Sequence, residues 1–314
     1  MQRKITVALI AGGRSGERQV SLNGASEVYQ ALDKEKYTIR QYDPATDMAK
    51  IAVDAGLIDM AFILLHGPFG EDGTMQGFLD LLAIPYQGAG VLGSALAMDK
   101  NLAKILYRQA GLKVPAWRMM DSIKMPSPEE LEKELGLPLV IKPVGQGSSL
   151  GMSIPKTIEA LRQGLDRAFN YGREVMVEKF IKGREITGGV IGNDELTALP
   201  LVEIIPSAQY DFFDYEAKYK TGASREICPA PLPENITEKA RQIALTAHRT
   251  LHLRGYSRTD MMVAEDGSIY VLETNTIPGM TPTSLLPQAA AAAGLPFANL
   301  LDRLIELALE DRQK

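Results

Sequence analysis

The chain has 314 residues, 45% of them apolar and 23% charged, with a net charge of −5. That is enough chain for two or three domains around a sizeable core, and the acidic balance gives no basic footprint for nucleic acid as the main partner. A single cysteine, Cys228, excludes an internal disulfide and thiol metal clusters and fits a reducing cytosol, and no apolar run reaches membrane-spanning length.

The opening "MQRKITVALIAGG" has a short basic head and an apolar run that ends in Gly-Gly and charges, so it reads as a first strand rather than a signal peptide. Ala25, Val28, Tyr29 and Leu32 then recur at helical spacing. "YTIRQYD" and "DMAFILLHG" read as further strands, and "IPYQGAG" as a short fourth. This β-α-β order predicts an open, mostly parallel sheet with helices on both faces and ligands at the carboxyl ends of its strands. Two of those ends, "AGGRSGERQVS" and "LLHGPFGEDG", carry glycine and polar groups. One helix is expected through "VLGSALAMDKNLAKILYRQAG", stopped at Gly111, followed by a connector "LKVPAWRMM". A smaller α+β unit comes next: "LPLVIKPVGQGSSLGMSIP", a helix around "TIEALRQGLDRAF" and the strand "EVMVEKFI". "REITGGVIG", "ELTALPLVEI" and the hairpin "SRTDMMVAEDGSIYVLETNT" are strands, and a helical tail closes the chain. Between them "SAQYDFFDYEAKYKTGASREICPAP" is long, aromatic and aperiodic, the pattern of a lid or binding loop.

The hairpin carries the sharpest chemical signal. Asp266-Gly267 favours a two-residue type I′ turn. Counting outward from it sets Asp260 opposite Glu273 and places Arg258, Asp260, Glu273 and Asn275 on one face. Like charges directly opposite each other repel. A solvated face with Arg258 neutralising one acid is one reading, and an oxygen-ligand site for Mg²⁺ is the other. "VIKPVGQGSSLGMSI" lacks the Lys and following helix of a P-loop. It is either a plain hairpin tip or a Gly/Ser loop whose N–H groups cover phosphates, with Lys142 adding a point charge. "AGGRSGE" has the spacing GGxxG, not GxGxxG, although Asp43 lies at a dinucleotide-like distance. Glu17 at its mouth suits an ammonium better than a pyrophosphate. His66 ends a strand before a glycine, where it could line a ligand site or merely pack. In "NTIPGMTPTSLLPQ" a helix begins near Ser284-Leu285, either with an ordinary Ser N-cap or with free N–H groups for a carboxylate.

Eight stretches in order resemble the D-alanine–D-alanine ligases of the ATP-grasp superfamily: "GGRSGERQVS", "HGPFGEDGTMQG", "IPYQGAGV…MDK", "VIKPVGQGSSLGM", "EKFIKGREIT", "YDFFDYEAKY", "SRTDMM" and "LETNTIPGMTPTSLLP". The resemblance spans nearly the whole chain. It implies an α/β and α+β multidomain fold: an open parallel substrate-binding domain (1–98) and two ATP-grasp α+β domains (99–185 and 186–314), with a lid at about 207–224. It implies that Glu17 holds the ammonium of a first D-alanine, with Ser21 and His66 nearby. Lys100, Lys142 and Lys218 contact ATP phosphates, with Ser149 also at the nucleotide. Glu178, Lys179, Ile181 and Glu185 bind adenine and ribose. Asp260, Glu273 and Asn275 hold two Mg²⁺ ions, Mn²⁺ being an alternative. Arg258 and the Gly279 amide stabilise the oxyanion, and Ser284 and Leu285 hold the second carboxylate. Tyr219 joins Glu17 and Ser148 in a hydrogen-bond network, as in dipeptide-forming members. Asp80 and Ala89 depart from the family's usual Glu and Ser or Cys. The implied protein is a cytoplasmic homodimer that makes D-alanyl-D-alanine for peptidoglycan precursors, with ATP and D-alanine as its partners and neither nucleic acid nor membrane.

Three other readings stand beside this one. A ligase for another amino or hydroxy acid pair would share the fold. A dehydrogenase using the N-terminal glycines for NAD leaves the hairpin acids and lysines unexplained. A non-catalytic nucleotide-binding module would not need every metal and phosphate ligand.

Overall fold

The structure, a computed structural model, describes residues 3–122, 126–144, 151–207 and 224–310. Strand β1 (Ile5–Ile10) lies between β2 (Tyr37–Tyr42) and β3 (Met60–Ile63), all parallel. A parallel bridge from Ala61 to Tyr86 begins the short fourth strand expected at "IPYQGAG". β1 is buried on both faces, which is why it reads as a continuous apolar run. Val7 and Leu9 join a core with Val28 of α1 (Arg18–Ala31) and with Leu300, Leu304 and Leu307 of the last helix, α10 (Phe297–Glu310). Ala8 and Ile10 join the opposite core with Ile51 of α2 (Met48–Asp54) and Leu79 of α3 (Thr74–Leu81). The chain therefore returns at its end to cover the sheet it began with.

The helix expected over "VLGSALAMDKNLAKILYRQAG" is two: α4 (Val91–Met98) and α5 (Lys100–Gln109). Asp99 is extended, and its Oδ1 accepts the N–H groups of Asn101 and Leu102, both at 2.9 Å. Its side chain thus caps a new helix instead of continuing the old one. The expected connector "LKVPAWRMM" ends in a strand, β4 (Trp117–Asp121). β4 pairs antiparallel with β6 (Glu174–Lys179), and β6 with β5 (Leu139–Pro143). Helices α6 (Pro128–Leu135) and α7 (Ile158–Phe169) pack Leu131, Leu135, Leu161 and Leu165 onto this small sheet. α6 starts with a reciprocal capping box between Ser127 and Glu130.

The third sheet runs β10 (Ser224–Ile227), β9 (Val202–Pro206), β7 (Gly183–Gly192), β11 (Gly255–Ala264), β12 (Ile269–Asn275), with β8 (Thr197–Ala198) beside β7. "ELTALPLVEI" is therefore two strands, split at Leu199–Leu201 around Pro200. Helix α8 (Glu234–Thr250) lays Ala240, Ala244 and Ala247 against Ile186, Val190, Met261 and Val271. A Cβ at Gly188 would meet that of Ala244 at 3.0 Å, so small residues on both sides set the close helix-to-sheet approach.

The β11–β12 hairpin differs from the expected two-residue turn. Val263 pairs with Ile269 and Met261 with Val271, and the turn is closed by Ala264 N–H to Ser268 O at 2.8 Å. Gly267, at φ +75°, takes the left-handed position that a longer turn requires. The register then shifts at a bulge, and Asp260 pairs with Glu273 and Arg258 with Asn275. The expected pairing of the two acids is present, but two offsets produce it. Leu272 is the extra residue on β12. It moves Glu273 off the face on which Ile269 and Val271 enter the core and turns it to the opposite side.

Candidate active site

The three sheets meet around a cleft of about 670 Å³. Its floor is the outer half of the hairpin: Arg258, Asp260, Glu273 and Asn275 all line it. Asp260 is 6% exposed and densely held. Its Oδ1 accepts Arg258 Nε at 2.9 Å and Thr187 Oγ1 at 2.7 Å, and its Oδ2 accepts Arg258 Nη2 at 2.8 Å and Asn275 Nδ2 at 3.1 Å. Thr187 is the register partner of Asp260 on β7, so the hydroxyl comes from the neighbouring strand. Two carboxylates and an amide on one rigid surface make a hard-oxygen donor set that fits Mg²⁺, with the Asn275 amide turned to offer its oxygen.

Beneath one wall lies a buried ion triad. Glu178 on β6 and Lys142 on β5 are diagonal neighbours on one sheet face, and Lys142 Nζ is 2.5 Å from Glu178 Oε1. Lys104 of α5 approaches from behind, with Nζ 2.8 Å from Glu178 Oε2. Burial pushes the Glu178 carboxyl up, but Lys104 and Lys142 outweigh it and hold the group below its ordinary value. Burial pulls Lys142 down, and Glu178 and Glu273 outweigh it and leave this lysine raised. For Lys104 burial wins, and its ammonium titrates lower than usual. Lys142, Glu178, Lys179, Ile181 and Glu185 line the cleft, as does Lys100 at the start of α5.

The parallel sheet supplies the other end. Glu17 precedes α1, is 5% exposed and faces the cleft with His66. His66 is held below its ordinary value by burial and Arg258, against an opposing pull from Glu17. Ser21 is placed otherwise: it is fully buried behind the wall, and its Oγ accepts the Gly12 N–H at 2.8 Å. It shapes the loop and does not line the cleft. Asp43 does similar work. It accepts Gly13 N–H and Ala45 N–H, both at 2.9 Å, and Arg18 Nη2 at 2.5 Å. Its acceptors are spent inside the glycine loop, which removes the ribose role a dinucleotide site would need. A Cβ at Gly12 would meet Asp43 Cγ at 2.7 Å, so only glycine allows this closure.

At the far end, Gly279, Ser284 and Leu285 line the cleft before helix α9 (Leu285–Ala292). Ser284 occupies the N-cap position but does not cap. Its Oγ instead accepts the Thr281 N–H at 3.1 Å and lies 2.8 Å from Thr281 Oγ1. The first-turn N–H groups of α9 are therefore not taken by that hydroxyl. Ser148, Ser149, Lys218, Tyr219 and nearly all of the expected lid lie outside the described residues.

Three site residues escape a reading by motif. Lys104 and Thr187 look like ordinary helix and strand residues until the fold brings them to Glu178 and Asp260. Glu71 stands inside the quoted "HGPFGEDG" and lines the cleft, its Oε2 accepting Gly67 N–H at 2.6 Å. Burial, with Glu17 and Glu273 adding to it against Gly67 and Arg258, pushes its carboxyl up to about 8.

Two α+β units closing on a parallel-sheet domain, with lysines and carboxylates facing one cleft, define an ATP-grasp ligase. Comparison with known proteins narrows the class. Residues 106–306 match the family model described as D-ala D-ala ligase C-terminus, and residues 41–89 match the corresponding N-terminus. A D-alanine–D-alanine ligase of Desulfotalea psychrophila is 58% identical, over 98% of this chain and 96% of the relative. One of Syntrophobacter fumaroxidans is 56% identical over 98% and 99%. Among solved structures, the Bacillus anthracis D-alanine–D-alanine ligase complexed with ATP has a TM-score of 0.86 at 37% identity, covering 98% of this chain and 99% of that one. The D-Ala:D-Ser ligase VanG of Enterococcus faecalis has a TM-score of 0.84 at 32% identity, covering 98% and 100%. The chain belongs to the D-alanine–D-alanine ligase family.

Proposed function

We propose that the chain joins two D-alanine molecules into D-alanyl-D-alanine, a precursor for peptidoglycan, converting ATP to ADP and phosphate. The carboxylate oxygen of the first D-alanine attacks the γ-phosphorus, and the bond to the β-phosphate oxygen breaks, giving an acyl phosphate and ADP. The amine of the second D-alanine, having lost a proton, attacks the acyl carbon, and inorganic phosphate leaves as the peptide bond forms. One observation carries this reading: the described residues of the ammonium, nucleotide, metal and second-carboxylate sets, Ser21 apart, line a single cleft.

Glu17 takes the first ammonium, beside His66. Lys100 and Lys142 face the phosphates, and Glu178, Lys179, Ile181 and Glu185 hold adenine and ribose. Arg258 and the Gly279 N–H face the developing oxyanion. The open first turn of α9 at Ser284 and Leu285 takes the second carboxylate. Asp260, Glu273 and Asn275 would hold Mg²⁺ or Mn²⁺, which when bound offsets charge on the transferring phosphoryl group. Ser148, Ser149, Lys218 and Tyr219, outside the described residues, complete the set, and the acyl phosphate needs shelter from water. The division into 1–98, 99–185 and 186–314, a cytoplasmic location and a homodimer belong to the same reading. Among the described residues no helix is long and apolar enough to cross a membrane.

The test is ADP and phosphate release with ATP, Mg²⁺ and D-alanine, with mass spectrometry of the product. D-alanine-dependent turnover yielding the dipeptide is expected. Turnover only with another amino or hydroxy acid would overturn the substrate assignment, and near-normal activity in Glu273→Ala would overturn the metal assignment.

A further inference from the structure

Lys104 is 1% exposed and does not line the cleft, so it cannot touch a bound nucleotide. It nevertheless points into the nucleotide wall. It lies one helical turn below Lys100 on the same face of α5. Its Nζ is 2.8 Å from Glu178 Oε2 and 5.7 Å from the centre of the Trp117 ring. Trp117 is the register partner of Glu178 on β4, and its Nε1 donates to Asn101 Oδ1 at 2.9 Å, so the wall behind Lys104 is fixed from both sides. Burying a lysine here is unfavourable unless a carboxylate is at hand, and Glu178 is the carboxylate at ion-pair distance.

The charge count is the informative part. Lys142 is 2.5 Å from the other oxygen of Glu178. Lys142 and Glu178 alone would be a neutral pair, and a neutral pair is a poor seat for a polyphosphate. With Lys104 the buried triad has two cations and one anion. One net positive charge remains, and only Lys142 among the cations can present it to the cleft. We propose that Lys104 is a positioning residue for the nucleotide phosphates: it satisfies Glu178 from behind, so that the triad keeps one net positive charge and presents it to the cleft through Lys142. This rests on the nucleotide reading of the cleft given above.

The experiment compares binding of ADP with binding of adenosine, because both fill the adenine wall and only ADP carries phosphates. The full-length protein is used, with variants Lys104→Met, Glu178→Gln and the double variant, each checked for its fold by circular dichroism. Lys104→Met should weaken ADP about tenfold, as expected for loss of one charge near a phosphate group, and leave adenosine within about twofold. The double variant restores one net positive charge and should recover most of the preference for ADP. Glu178→Gln alone should raise that preference above wild type. A purely structural lysine would move ADP and adenosine together. If Lys104→Met does not fold, the comparison of Glu178→Gln with the double variant decides: loss of the Lys104 charge should lower the ADP-to-adenosine preference of the double variant about tenfold below that of Glu178→Gln, and equal preferences overturn the proposal. An unchanged ADP-to-adenosine ratio in Lys104→Met, or a double variant that shows no preference for ADP, overturns the proposal. A wild-type protein that fails to prefer ADP over adenosine refutes instead the nucleotide reading on which it stands.

Discussion

Thr187→Val removes one hydroxyl from the floor of the site and little else. Thr187 is 2% exposed, and its Oγ1 donates to Asp260 Oδ1 at 2.7 Å while lying 3.2 Å from the carbonyl of Thr259. A hydrogen bond to a charged acceptor contributes about 1.5–3 kcal/mol. Asp260 keeps Arg258 and Asn275 as donors, and valine fills the same space, so no buried charge is stranded. The low end of that range, about 1.5 kcal/mol, is therefore the expected loss of stability without ligands. Urea unfolding of the ligand-free protein measures it. The same change frees Asp260 to rotate, so the Mg²⁺ concentration for half-maximal ADP formation should rise about threefold to tenfold. Thr187→Ser keeps the donor and should shift neither quantity by as much. If Thr187→Val has wild-type stability and an overlapping Mg²⁺ curve, the hydroxyl does not orient Asp260.

Three further changes test other parts of the site. The Glu71 carboxyl is raised to about 8 by burial and neighbouring acids, so in the ligand-free protein the folded state holds a proton that the unfolded state releases above its ordinary value, and wild-type stability falls as pH rises to about 8. Glu71→Gln, which needs no proton, should match wild type near pH 4 and become increasingly more stable than it up to about pH 8, as thermal melts would show. Asp43 is lowered to about 2, chiefly by the Arg18 hydrogen bond, so its contribution is present above its ordinary value and is lost as pH falls toward 2. Because solvent screens this pair, Asp43→Asn should cost only about 1–2 kcal/mol at neutral pH, with the difference vanishing near pH 2 in urea melts. The Tyr107 hydroxyl donates to Thr274 Oγ1 at 2.6 Å, which lies 3.0 Å from Thr259 Oγ1, all buried beneath the hairpin. Tyr107→Phe should cost about 1 kcal/mol of stability while leaving the Mg²⁺ curve unmoved.

The parts of this fold that were legible in the sequence are those set by local periodicity. β1 announces itself because both its faces are buried, and α7 because Leu161, Leu165 and Ala168 fall on one stripe after the Thr157 cap. Counting from a two-residue turn pairs the hairpin acids correctly only because the longer turn and the bulge at Leu272 cancel. The break at Asp99 was not legible, because the apolar pattern runs through it and only the side-chain cap reveals the restart. The turn at Gly267 was read one residue too tight. Glu17 and the hairpin acids were identifiable by residue type and position, whereas Lys104 and Glu71 were not. What distinguishes them is burial beside particular charges contributed from far along the chain, and no window of neighbouring residues records that. Ser21 shows the converse: a polar residue on the first turn of α1 holds the glycine loop through the Gly12 N–H and does not line the cleft.

The extra residue in β12 makes the hairpin a matter of parity. Along a strand, odd and even positions belong to opposite faces, and Leu272 exchanges the two partway along. On the turn side of it, Ile269 and Val271 serve the core; on the other side, Glu273 and Asn275 serve the cleft. One strand is thereby shared between a hydrophobic interior and a charged surface without a loop between them. Forcing this strand into regular alternation with Leu272 retained would mean either burying the Glu273 carboxylate or pushing the core valine and isoleucine into the cleft. Deleting Leu272 would force no such choice, because Val271 and Glu273 would then be neighbours and would fall on opposite faces as they do now. What the strand must keep is the parity between Val271 and Glu273, and the bulge is one of two ways to keep it.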